Sequence, residues 1–263
     1  MKKILFALAC VATLTLASCF ENTGYSRTDY FVRVVTIDTT NTSVELVADY
    51  TNEKFTSKDI TNLRYPEQLS QFGLSGARRA EVLLMLHTDA SYSQTLTLEK
   101  AQKIAVQPVS NTTPTGLLRP FSSWMQKPLF SDYAPVAWVA NGYLNVVPVI
   151  PSNQVGKYYL TAEKVVSDTL YFRLDATYTP NDSRQDLEDQ LQCFDLRTLN
   201  DTVSADSAQR ANMIEALNAI KQHKNDSMKI VLTGSFDWKK INGKDTIGDL
   251  KVVTDYFKCE FIQ

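Results

Sequence analysis

Two histidines, four cysteines and 29 acidic side chains are spread over 263 residues, and their spacing decides what chemistry is open to the chain. A structural zinc ion takes four Cys, His or carboxylate ligands at compact spacing. His87 and His223 stand in different halves of the chain with no paired thiols beside either, so no metal site is expected. One should end a strand and the other a helix, where a surface or capping role suffices. A nucleophile elbow needs Gly-x-Ser-x-Gly, and Gly73-Leu74-Ser75-Gly76 has a different spacing. Nine glycines form no phosphate-cradling loop, and no cofactor is expected. Carboxylates are harder to exclude, because a glycosidase needs only two, held ~5–9.5 Å apart by the fold. Asp175, on the polar side of a strand beside Arg173, is the best single candidate. Its alternative is a cross-strand ion pair. Asp182, Asp186, Glu188 and Asp189 lack the alternating ligands and turn glycine of an EF-hand loop, and a solvated loop is the simpler reading.

The N-terminus carries chemistry of another kind. Lys2 and Lys3 precede an uncharged apolar stretch over 4–17, shorter than the ~20 residues of a spanning helix. Residues 1–18 therefore read as a signal peptide. Leu16-Ala17-Ser18-Cys19 resembles the lipobox of bacterial lipoproteins, in which the cysteine thiol receives diacylglycerol before cleavage. The alternative is an ordinary secretory signal with Cys19 incidental. Each buried methylene contributes ~0.8 kcal/mol and two acyl chains already anchor stably, so a fully acylated Cys19 would hold the protein on a membrane without a spanning helix. The expected address is the cell envelope, with the outer membrane favoured and the periplasmic or surface face left open.

With Cys10 cleaved off and Cys19 lipidated, Cys193 and Cys259 remain. An envelope protein is free to form a disulfide, but alternation makes this pairing doubtful. Cys259 shares a face with Val253, Phe257 and Phe261, whereas Cys193 lies opposite Phe194 and Leu196. A formal charge of -2 provides no basic field, so nucleic acid is not an expected partner. With 44% apolar and 21% charged residues, the composition excludes a disordered chain and a multi-span membrane protein.

The elements that must position these residues are mostly strands. Tyr171 to Tyr178 alternates, with Phe172, Leu174, Ala176 and Tyr178 on one face and Tyr171, Arg173, Asp175 and Thr177 on the other, the period of a half-buried strand. Similar runs occupy 30–37, 43–48, 80–87, 95–98, 138–149, 157–165 and 229–236, and Asn141-Gly142 and Asn242-Gly243 are among the turn formers between them. Residues 206–222 break the pattern: Met213, Ile214, Leu217 and Ile220 form a stripe behind candidate N-caps Ser204 and Asp206. That helix would cover a sheet edge or, alternatively, bind a partner. Five of the nine prolines fall between 108 and 135, which predicts a connector. The expected division is an anchor and tether over 19–29, a small β-barrel over 30–107, the connector, and a second β domain over 136–263 with the helix inserted near 205–222.

Gly24-Tyr25-Ser26 with Asp29-Tyr30-Phe31-Val32, shortly after a lipobox, and Gly142-Tyr143-Leu144-Asn145-Val146 resemble the NigD-like lipoproteins of Bacteroidetes. The resemblance implies a mainly β chain with an N-terminal OB-like barrel followed by a C-terminal β-sandwich. Departures exist: few acids follow the cysteine, a C-domain strand ends as Phe172-Arg173-Leu174-Asp175 without histidine, and the helix is extra. The family has no established biochemical activity, and its name points to a bacteriocin gene cluster. Asp followed by Ser or Thr and then a small or apolar residue resembles the O-glycosylation signal of Bacteroidetes envelope proteins. It occurs at Thr39, Thr169, Thr202, Ser207, Ser227 and Thr246, although such pairs are also common at turns and caps.

Twelve Tyr, twelve Phe and three Trp supply rings that serve either a core or a binding face. The expectation is a non-enzymatic, lipid-anchored envelope protein that binds a protein, peptide or glycan. The alternatives are a carboxylate-based carbohydrate-active enzyme and a bacteriocin-immunity lipoprotein.

Overall fold

The fold is taken from a computed structural model that describes residues 26–40, 42–115, 118, 121, 123–124, 136–151, 155–178, 187–189, 191–237 and 247–261. Cys19, the signal peptide, Thr246, Asp182, Asp186 and most of the proline-rich connector lie outside the described residues.

The protein is mainly β. The first unit is an antiparallel sheet of β1 (Arg27–Thr39), β2 (Val44–Ala48), β3 (Lys54–Thr56), β4 (Arg79–Thr88) and β5 (Gln94–Ile104), in the spatial order β3-β2-β1-β4-β5. The expected barrel does not close. No ladder joins β3 to β5 among the described residues, and only an isolated bridge, Ile60 to Leu96, approaches closure. The reason lies in residues 57–78. They do not extend as a strand; instead a 3-10 turn at Pro66–Phe72 tucks Leu63, Leu69 and Leu74 into the opening, where all three are buried. Hydrophobic side chains fill the space that a closing strand would occupy.

The second unit begins at β6 (Val106–Pro108), followed by β7 (Ser123–Trp124), β8 (Ala137–Ala140), β9 (Tyr143–Val146), β10 (Pro148–Pro151), β11 (Val155–Val166), β12 (Thr169–Tyr178), β13 (Leu187–Asp189) and β14 (Gln192–Asp195). After these come helix α1 (Ser207–Gln222), β15 (Ser227–Asp237), β16 (Ile247–Val253) and β17 (Phe257–Lys258). One sheet has the order β6-β14-β9-β8, another β11-β12-β15-β16 with β17 on β15, and a short one β13-β10-β7. Side chains from β9, β11, β12, β14 and β15 meet in one core with α1. The run over 138–149 is divided among β8, β9 and β10 rather than forming one strand, and Asn141 and Gly142, both at positive φ, turn the chain between β8 and β9.

On α1 the stripe is Met213, Ala216, Leu217 and Ile220, which face the core, while Ile214 is 43% exposed. A step of ~100° per residue rotates position 214 off the face that Met213 and Leu217 share. Asp206 caps the helix by accepting from the Gln209 amide at 2.8 Å, a role open to a short acid in extended backbone. Among the described residues no helix is long and apolar enough to cross a membrane.

The two units are sealed together rather than merely linked. β6 pairs in parallel with β14 across the start of the expected connector. On β1 both Val34 and Val35 are buried although neighbours on a strand point to opposite faces. Val35 enters the first unit's core, and Val34 packs with Ile104, Trp138, Tyr143, Val147 and Cys193 in a seam drawn from both units.

Candidate functional site

A charged cluster lies inside that seam. β2 ends at Ala48, and the chain turns tightly through Asp49, whose amide donates to the Val34 carbonyl at 2.9 Å. Arg79, the first residue of β4, points at it from the neighbouring strands. Both are at 0% exposure, and Arg79 donates through both terminal nitrogens to the two Asp49 carboxylate oxygens. The second unit supplies the rest. Trp138 Nε1 donates to Asp49 Oδ2 at 2.8 Å, and Asn145 Oδ1 accepts from Arg79 at 3.0 Å. Burial pulls the Arg79 guanidinium down, but the adjacent Asp49 carboxylate outweighs it and holds the group above its ordinary value. The guanidinium therefore stays charged. Tyr143 lies between two guanidinium groups, Arg79 at 5.1 Å and Arg197 at 4.4 Å from the ring centroid, a favourable placement of cations on a π face.

The turn after Asp49 opens onto a concavity. Tyr50 and Asn52 both have positive φ, 65° and 51°. For a bulky residue such as Tyr this is a costly conformation, of order 1–3 kcal/mol, and such positions cluster where the fold holds a side chain for use. The Tyr50 ring packs on Trp138 at 6.1 Å between centroids and remains 42% exposed. Across from it is the segment after β16, with Asp255, Tyr256, Lys258, Glu260 and Phe261. Together they line a cleft of about 610 Å³. It continues past shared walls at Asn52, Asn141, Lys258 and Glu260 into a second lobe of about 660 Å³, bounded by Arg78, Arg197, Lys54 and Glu45. Burial first, then the carboxylates of Asp255 and Asp49, push the Tyr50 phenol far above its usual range, so it keeps its proton and acts as a donor.

The residues singled out in the sequence lie elsewhere. Asp175 is 4% exposed and accepts from Arg173 Nε at 3.1 and 3.2 Å. This is an ion pair between residues two apart on one strand. His223 caps α1, its Nδ1 lying 2.9 Å from the Ala219 carbonyl, and His87 bonds Thr28 at 3.0 Å. Among the described residues no three His, Cys, Asp or Glu side chains gather to hold a metal. Cys193 and Cys259 are both buried and free, the first in the seam and the second in the core of the second unit, so the doubtful disulfide is not formed. Of the glycosylation signals, Thr39 and Ser227 are exposed at strand ends, Ser207 is exposed in the first turn of α1, and Thr202 is half-buried before it. Thr169 is buried and its hydroxyl bonds Asp168 at 3.0 Å.

Asp49, Arg79 and the cleft tyrosines carry no signal in the sequence. Asp49 and Arg79 flank apolar strands, where an isolated charge reads as a solvated end. Only the Asn141-Gly142 turn marks the site in advance.

No protein-family model matches the chain, and no curated protein does. The chain is similar to two solved structures. One is an uncharacterized protein from Parabacteroides merdae, 11% identical, covering 88% of this chain and 99% of its own, with a TM-score of 0.46. The other is a protein of unknown function, DUF1344, from Bacteroides vulgatus, 13% identical, covering 84% of this chain and 90% of its own, with a TM-score of 0.39.

Proposed function

We propose that this protein is a non-enzymatic, lipid-anchored binding protein of the cell envelope, held on the outer membrane through Cys19 and using the seam cleft to take a protein, peptide or glycan. The observation that carries the reading is the cleft itself: about 610 Å³ in its first lobe, within the ~300–1,000 Å³ of ligand sites, and formed where two units meet. Its walls are rigid, because the buried Asp49–Arg79 pair ties Trp138 and Asn145 to the first unit. Kinship with the NigD-like lipoproteins, an OB-like first unit and a β-sandwich arrangement of the second belong to the same reading, on the motifs near Gly24 and Gly142 and the shared core between two sheets.

Two measurements test it. Radiolabelled palmitate should enter the protein in growing cells and should not enter Cys19→Ala; equal labelling of both removes the anchor. For the cleft, Glu260→Cys on its rim and Lys100→Cys on an exposed stretch of β5 are labelled with a maleimide in intact envelopes and after purification. Occupancy predicts slower labelling in envelopes at position 260 alone. The same ratio at both positions refutes a cleft occupied in the envelope.

A further inference from the structure

We propose that the occupant of the cleft is a neutral oligosaccharide, a claim that rests on the cleft being the binding site. A sugar ring has an apolar C–H face and a rim of hydroxyls, each both donor and acceptor. A site for it needs an aromatic face fixed in place and nearby groups that also donate and accept.

The cleft supplies both. Tyr256, 58% exposed, is fixed by two contacts outside the cleft. Its hydroxyl donates to Asp168 Oδ2 at 3.0 Å, and Lys229 Nζ lies over the ring at 5.3 Å from the centroid. Tyr50 is fixed from behind by Trp138, itself held by Asp49. Two rings thus present area to the cleft with little side-chain freedom left to lose on binding. The side-chain amides of Asn52 and Asn141 stand on the wall common to both lobes, and an amide has two donors and an accepting oxygen, matching paired hydroxyls. Asn141 is oriented by donating Nδ2 to Thr36 Oγ1 at 3.1 Å. The protonated Tyr50 phenol adds a donor.

Charge argues in the same direction. In the first lobe Lys258 stands with Asp255 and Glu260. In the second Lys54 is paired with Glu45 at 2.9 Å, Arg197 with Asp195 at 2.7 Å and Arg78 with the same acid at 3.6 Å, and Asp38 adds a further carboxylate. Neither lobe carries the unopposed field that a strongly ionic ligand selects. The competing occupant is an extended peptide added to β8, which is at the edge of its sheet and lines the cleft. At four residues β8 offers little length for strand addition.

The test uses the full protein purified from envelopes in detergent. Cello-, manno-, xylo- and chito-oligosaccharides are screened by calorimetry beside an array of unrelated peptides. Binding to at least one oligosaccharide series is expected. It should weaken about tenfold in Tyr256→Ala, the loss of one stacking platform, and also in Asn141→Asp. Lys100→Cys should bind as the parent does. Oligosaccharide binding unchanged in both cleft variants overturns the proposal, because the sugar then sits elsewhere. Peptide binding that the cleft variants abolish, with no sugar bound, overturns the sugar assignment and leaves the cleft reading standing. No binding of either class overturns both. Retained near-UV circular dichroism in Tyr256→Ala separates lost binding from lost folding.

Discussion

Replacing Asp49 with alanine is the most direct probe of the seam. In the folded chain its carboxylate accepts from both terminal nitrogens of Arg79 and from the Trp138 indole, and both charged residues are withdrawn from water. Without the acid, a guanidinium whose Nε already lacks a hydrogen-bond partner is left inside the seam, along with an orphaned indole N–H. Removing one member of a buried ion pair costs about 3–5 kcal/mol. Against a total stability of ~5–15 kcal/mol for a domain, that brings the variant to the edge of folding. The loss is not the net worth of the pair. Replacing both partners together, with Asp49→Leu and Arg79→Met, should recover more than half of it, since neither charge then has to be desolvated. Urea unfolding followed by circular dichroism measures both variants on one scale. A loss below about 1 kcal/mol in Asp49→Ala, the size of an exposed pair, would refute the claim that these charges are sealed between the units.

Three more outcomes follow from particular residues. Burial pushes the thiols of Cys193 and Cys259 up to about 11, so neither should react with a disulfide reagent at mildly alkaline pH until the protein is unfolded in guanidinium. Mass spectrometry reads the sites, and a native peptide linking the two would contradict the structure. Gly142 has φ of 82°, and a methyl group there would lie 2.9 Å from Phe261 Cδ2. Gly142→Ala should therefore cost about 1–3 kcal/mol, and an unchanged melting temperature would show that the β8–β9 turn is not held as described. Bonds from the Gln209 amide, then from Thr113, hold the Asp206 carboxyl below its ordinary value. A depressed folded-state value means this contribution is present at neutral pH and fades as pH falls through that value. Asp206→Asn should flatten the acid limb of the stability profile, and superimposable profiles would refute the assignment.

How much of this was legible in the sequence depends on which rule governs each element. Phe172, Leu174 and Ala176 alternate with Arg173 and Asp175, and a period of two is sufficient to place β12 half in the core. Helix α1 was equally readable, because Asp206 and His223 bracket a stripe whose period is local. Closure of the first sheet was not. Whether residues 57–78 extend as a strand or fold inward as a plug depends on how Leu63, Leu69 and Leu74 fit the sheet's open side, which is a tertiary matter. The seam was invisible for a related reason. Val34 alternates correctly with Val35, and nothing in β1 alone says that the second face also meets an apolar partner.

The same blindness explains why the candidate site was missed while Asp175 drew attention. An acid in the middle of an alternating strand stands out, yet its bonds to Arg173 come from two positions away on the same strand and need no partner unit. Asp49 and Arg79 sit at strand ends, where a charge is expected to meet water, and they are buried only because Trp138 and Asn145 arrive from residues far along the chain. Once those arrive, the desolvated pair must stay intact or cost several kcal/mol, so the turn at Tyr50 and Asn52 is fixed in its strained conformation. The seam thus does two things with one set of contacts: it joins the units, and it stiffens the wall from which Tyr50 faces the cleft. It follows that Asp49→Ala should weaken any ligand held in the cleft as well as the fold, whereas Asp206→Asn, remote from the seam, should leave binding untouched.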